Sequence, residues 1–151
     1  MTSQIRFNYA DRSVSISPKS FLKKIVEMVF TKEKKNFSQI NFIFCSDEFL
    51  LQINKDFLQH DYYTDIITFP LSTKGQPVEA EIYISLDRVK QNAKDLQQPF
   101  ELELVRVMTH GALHLCGYKD KSKSQIKIMR EREVYYIDLY KKFHVKPFRL
   151  K

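Results

Sequence analysis

The sequence predicts an α+β fold in which a small, mixed four-stranded sheet packs against helices. Three observations predict it. Four short apolar stretches carry the alternation or the continuous run of strands, and five longer ones repeat near the helical period. The strands gather early in the chain and the helices late, the pattern of an α+β layer. No internal repeat, low-complexity tract or long linker interrupts the 151 residues, and 43% apolar content with 12 Phe and 8 Tyr suffices for one ordinary core. A single domain over residues 1–151 is expected, with a basic tail from about residue 141.

Ile5 to Tyr9 alternates apolar and polar residues and is the first strand. After a polar bridge from Ser13 to Ser17, Ser17 and Pro18 are read as N-cap and first turn of a helix that turns Phe21, Leu22, Ile25, Val26 and Val29 inward. Ile40 to Cys45 is a second strand, and Ser46 caps a helix bearing Phe49, Leu50, Ile53 and Phe57. Asp65 to Phe69 is a third strand, stopped by Pro70, and Glu81 to Ile84 a fourth. A turn at Lys74, Gly75, Gln76 and Pro77 makes the pair a hairpin. Ser85 caps a helix with Val89, Ala93 and Leu96 on one side, Pro99 opens the next, and a last helix runs from about Ser124 to Phe143.

Net charge is +7, and after Asp138 the chain holds Lys141, Lys142, His144, Lys146, Arg149 and Lys151 but no acid. Further lysines cluster at 32, 34 and 35 and at 119, 121, 123 and 127. Such a surface attracts polyanions, although each cluster alone reads first as solvated charge. No window approaches the ~18 apolar residues of a membrane span, and the first residues lack the apolar run of a leader, so a cytoplasmic protein is expected. Cys45 and Cys116 are expected to be reduced core thiols.

The chemistry concentrates between His110 and Asp120. Two histidines four apart share one face of a helix, with Cβ atoms roughly 5 to 6 Å apart, so both rings can reach one ion at about 2.0 to 2.1 Å. Gly117 supplies the left-handed residue that ends the helix and swings the chain back, which lets Asp120 become a third ligand. Three protein ligands with a fourth position for water describe a catalytic zinc site, although other divalent transition metals suit the same donors. Such a site, at the end of a C-terminal helix, points to metal-assisted hydrolysis. The glutamate that follows the first histidine in metallopeptidases is replaced by Gly111, so peptide hydrolysis is disfavoured.

His110, Gly111, Leu113, His114, Leu115, Gly117 and Tyr118 resemble the signature of the YbeY endoribonucleases, the ribosomal RNA maturation factors. Asn54 followed by the Thr64 to Pro70 block, and Ile82 to Ser85, resemble that family's central segments. The likeness spans roughly residues 47–132. It implies a metal-dependent, single-strand-specific endoribonuclease that acts in maturation of the 3′ end of 16S ribosomal RNA and in ribosome quality control. The implied partners are single-stranded RNA, ribosomal RNA and ribosomal particles.

Two positions depart from the family pattern. A third histidine after an aspartate usually closes the triad, where this chain has Lys119 and Asp120; the carboxylate lowers the site's charge by about one unit and should make bound water less acidic. Leu58 stands where the family usually carries an arginine, which leaves Lys119 and Lys121 as candidates to contact phosphate. A general base could come from Asp65 or Glu81, which the resemblance places around the cleft, or from neither if the ion alone activates its water. Asp65 reads equally as a strand-start carboxylate or as the group that orients a ligand histidine. His60 and His144 read as exposed loop and tail residues. Tyr62 and Tyr63 read first as core packing and second as platforms for splayed bases.

Two rival functions fit the same residues. One is a noncatalytic ribosome-assembly factor whose metal only pins the last helices, which would also explain Leu58. The other is an iron oxygenase built on two histidines and a carboxylate.

Overall fold

The computed structural model describes residues 3–12 and 16–149, with side chains as far as residue 142. The elements run β1 (Gln4–Tyr9), α1 (Lys19–Lys32), β2 (Phe37–Cys45), α2 (Asp47–Leu58), β3 (Ile66–Pro70), β4 (Val78–Ser85), α3 (Leu86–Asp95), α4 (Phe100–Leu115) and α5 (Lys123–Arg149). The four strands form one mixed sheet in the order β1-β2-β4-β3. β1, β2 and β4 are parallel, and β3 closes the edge antiparallel to β4 with Ile66 opposite Ile84 and Thr68 opposite Ile82. The expected hairpin and mixed sheet are therefore present.

Alternation along each strand divides the core. Ile40, Phe42 and Phe44 of β2 and Ala80, Ile82 and Ile84 of β4 face the main core with Leu22, Val26 and Phe30 of α1 and Val105, Met108 and Ala112 of α4. Cys45 and Ile67 face the other way, against Leu50 of α2. Burying a Leu or Ile side chain stabilises by about 1.5–3 kcal/mol, so the first and larger face dominates.

Several expected boundaries move. Pro18, not Ser17, occupies the cap of α1, with extended backbone and no side-chain cap bond, and its carbonyl accepts the first helical bond from Leu22 at 3.2 Å. β2 and β4 begin earlier than their apolar runs because ladder bonds extend them through Phe37 and Val78. Leu96 is exposed because α3 ends at Asp95 and Gln97 turns the chain away with φ 54°. In α2, Leu50 is buried while Phe49 and Phe57 are exposed. Ser46 and Ser85 cap α2 and α3 as expected, each accepting from the third backbone N–H, Phe49 and Arg88.

α5 continues beyond Phe143 to Arg149, so the backbone of the basic segment is helical as far as that residue. Lys141 and Lys142 are exposed, and the side chains of His144, Lys146 and Arg149, like the whole of Lys151, lie outside the described residues. Among the described residues no helix is long and apolar enough to cross a membrane.

Gly111 positions α4 on the sheet. A Cβ added there would lie 2.8 Å from Cδ1 of Ile66 and 3.4 Å from Ile82. The glycine therefore lets the helix approach the β3–β4 hairpin closely, which brings His110 and His114 on either side of it to a groove shared with β3.

Candidate metal centre

The end of α4 is built by a Schellman turn. Gly117, at φ 107°, donates its N–H to the His114 carbonyl at 3.0 Å, and Tyr118 donates to the Leu113 carbonyl at 3.0 Å. The reversed chain brings the Tyr118 carbonyl 2.9 Å from His114 Nδ1 and then delivers Asp120 to both rings. His114 Nε2 lies 3.1 Å from His110 Nε2 and 3.2 Å from Asp120 Oδ2, and His110 Nε2 lies 3.3 Å from the same oxygen. Ligand atoms held about 2.0–2.1 Å from one zinc ion at tetrahedral angles lie roughly 3.3–3.4 Å apart. The triangle matches that span.

The proton positions strengthen the fit. His110 Nδ1 is 2.6 Å from Glu133 Oε2, and His114 Nδ1 faces a carbonyl; both partners are acceptors, so each Nδ1 carries hydrogen. In neutral rings both Nε2 lone pairs then point at each other and at the Asp120 carboxylate. Three converging acceptors repel unless a cation lies among them, and His110, His114 and Asp120 form the group able to hold one. Side-chain exposures of 19%, 31% and 39% leave the triangle open to solvent on one side.

Glu133 has a supporting network of its own. It is buried on α5 and meets Arg106 at 3.5 Å. Arg106 also donates to the buried Glu103 at 2.9 Å and lies 3.5 Å from Asp65. Burial opposes the Arg106 charge, but Glu103, Glu133 and Asp65 more than offset it, so the guanidinium stays cationic. Three carboxylates, Glu103, Glu133 and Asp65, thus surround one guanidinium, and Asp120 adds a fourth negative charge at the adjoining histidine pair, which favours a further cation. The sequence placed Glu103 on the side of α4 that carries His110 and His114 but gave no role to Glu133 or Arg106. The available signal was an acid on the stripe Met129, Glu133, Tyr136, Tyr140, otherwise the apolar face of α5.

Asp65 stands at the head of β3, facing Asn92 Nδ2 at 3.3 Å and Arg106. Burial raises its pKa, partly countered by Arg106 and His110. It makes no bond to a ligand histidine; that orienting role belongs to Glu133 on one ring and the Tyr118 carbonyl on the other. Glu81 is a correction. Its neighbours Ala80 and Ile82 point to the α4 side of the sheet, so strand alternation turns Glu81 to the opposite face, where it accepts from the Tyr83 hydroxyl at 3.3 Å.

A groove of about 730 Å³ passes the triangle, lined by Leu58, Tyr62, Asp65, His110, His114 and Lys121 among others. Lys121 is on its wall, whereas Lys119 is exposed on the turn beside it. Leu58 lines the groove too, so an apolar side chain stands where the resemblance implies an arginine. His60 stacks on Tyr62 with ring centroids 5.1 Å apart, and Tyr62 is 56% exposed. Tyr63 is half exposed, with the Arg88 guanidinium 5.3 Å over its ring. Core packing, the first reading of both tyrosines, is thus overturned, because the α2–β3 loop carries them on the surface. Cys45 and Cys116 are both free, and burial pushes each thiol up to about 12. Neither joins the triangle.

Comparison with known proteins places the chain in a family. The family model described as Endoribonuclease YbeY matches residues 4–141. A protein of that name from Flavobacterium psychrophilum is 45% identical over 94% of this chain and 98% of its own. Another from Cytophaga hutchinsonii is 44% identical over 91% and 96%. A Thermotoga maritima protein solved in solution superposes with TM-score 0.66 at 28% identity, covering 95% of this chain and 94% of that one. With the family model matched over residues 4–141 and relatives about 45% identical over nearly their whole length, the chain belongs to the YbeY endoribonuclease family.

Proposed function

We propose that the protein is a metal-dependent endoribonuclease that cuts single-stranded RNA within ribosomal RNA precursors, including the 3′ end of 16S ribosomal RNA, and that serves ribosome quality control. The observation that carries the reading is the convergence of three acceptor atoms on one point at the wall of an open groove. His110, His114 and Asp120 would hold a divalent ion, zinc by the chemistry of the donors. When bound, the ion supplies Lewis-acid polarisation of a phosphodiester oxygen and lowers the pKa of its water.

The chain's own groups do the rest. Glu133 and the Tyr118 carbonyl lock both rings with Nε2 facing the groove. Lys121, with Lys119 next to it on the turn, offers the positive charge that Leu58 does not. Asp65 is the carboxylate on the groove wall whose burial raises its proton affinity, which suits a general base. Tyr62 presents an exposed ring to splayed bases.

Leu58 favours one competing reading, an RNA-binding assembly factor whose metal is structural. Asp120→Ala separates the two. The nuclease reading expects loss of cleavage of a single-stranded RNA by at least about 100-fold, with the melting temperature nearly unchanged. Retained cleavage in metal-depleted buffer together with a melted fold would favour the structural metal. Elemental analysis of the purified protein identifies the ion.

A further inference from the structure

An endonuclease cuts inside a chain, so the strand must continue past the cleavage point on both sides. On one side of His114 the groove runs toward His60 and Tyr62. On the other side a second hollow of about 480 Å³ begins at the same wall, since Pro70, His114 and Leu115 border both. Its rim is formed by the α1–β2 turn, with Lys34 and Lys35, and by the β3–β4 hairpin, with Lys74. All three lysines are exposed and no acid lines the hollow.

The nearest acid in sequence has been turned away. Glu33 accepts from the hydroxyls of Tyr118 at 2.8 Å and Tyr136 at 2.7 Å and from Arg132 at 3.0 Å, so its charge is spent inside the protein. The turn therefore shows solvent only its cations. The two loops are also fixed to each other. Val78 donates its N–H to the Asn36 carbonyl at 2.9 Å across the two loops, and within the first of them Lys35 donates to the Phe30 carbonyl at 2.9 Å. Lys34 holds φ 59°, which bends the turn over the end of α1.

We propose that this hollow is an extension of the substrate groove, in which Lys34, Lys35 and Lys74 hold the backbone phosphates of the RNA strand on one side of the scissile bond. The inference rests on the endoribonuclease reading and adds to it a binding subsite. The groove is then two-ended: an aromatic arm that takes bases and a cationic arm that takes phosphates, with the metal ligands between.

The test compares the full chain with a variant carrying Lys34→Ala, Lys35→Ala and Lys74→Ala, using a fluorescent uridine oligonucleotide across a salt series. At ~0.7 per phosphate neutralised on a single strand, losing three contacts lowers the slope of log affinity against log salt by about 2. KM for cleavage should rise more than kcat falls. Replacing the three lysines by arginine should restore the slope, and oligonucleotides shortened on one side should be insensitive to the variant while those shortened on the other are not. A variant slope equal to that of a wild-type protein that binds and cleaves RNA would overturn the extension alone. A wild-type protein that neither binds nor cleaves RNA overturns the endoribonuclease reading and this subsite with it.

Discussion

Glu133 Oε2 lies 2.6 Å from His110 Nδ1, joining α5 to the ring that α4 presents to the groove. The contact fixes the tautomer of His110 and ties the candidate metal centre to a buried network that runs through Arg106 to Glu103 and Asp65. Partners of this kind set ligand orientation and basicity as much as the ligands themselves do.

Glu133→Gln should therefore weaken zinc binding by about 10–100-fold while the three ligands remain in place. Competition with a chromophoric chelator measures it. The change also leaves Arg106 with one carboxylate fewer, so a modest loss of stability should accompany it in urea denaturation. Unaltered affinity would mean that His110 is oriented by packing alone.

Gly117 sits at φ 107°, a conformation that residues with a Cβ rarely adopt, and no atom lies within 4 Å of a Cβ added there. Strain rather than collision is then the cost of Gly117→Ala, on the order of 1–3 kcal/mol. The Tyr118 carbonyl and Asp120 both depend on this turn, so zinc affinity should fall together with stability. Thermal melts with and without added zinc should show the variant gaining less from the metal than the parent does.

Glu33 makes a prediction about pH. Burial alone would raise its pKa, but bonds from Tyr136, Tyr118 and Arg132 win, and the folded value lies below the ordinary 4.5. A depressed carboxylate contributes stability that is fully present above its unfolded pKa and is lost as pH falls through the folded one. Wild type should therefore lose stability as pH is lowered below about 4.5 in part through this group. Glu33→Gln should be less stable at neutral pH and show a shallower acid limb in urea titrations.

Tyr62→Ala should reduce affinity for single-stranded RNA by about 1–3 kcal/mol for each base stacked on the ring. Because stacking releases no counterions, the salt dependence should keep its slope. Fluorescence anisotropy over a salt series distinguishes this parallel shift from the flattened slope expected of the lysine variant.

Much of this molecule was legible because the relevant contacts are local. Periodicity located every strand and helix, and Ser46 and Ser85 marked two helix starts, since a cap bond spans only three residues. His110, His114 and Gly117 were legible for the same reason: one helical turn and one Schellman motif fix their relative positions whatever the rest of the fold does. Boundaries were less so, since Phe37 and Val78 become strand through ladder bonds to distant partners.

The sequence by itself determined the triangle of His110, His114 and Asp120, because residues 110 to 120 build it within a single helix end and its returning turn. Only the tertiary structure decided what surrounds it. It chose Glu133, 23 residues away, rather than Asp65 to orient His110, and it turned Glu81 to the far face of the sheet. It also brought Lys34 and Lys35 beside Lys74 across a hydrogen bond between loops some forty residues apart. These outcomes depend on which helix packs on which sheet face, and that is settled by burial summed over the whole core rather than by any local pattern.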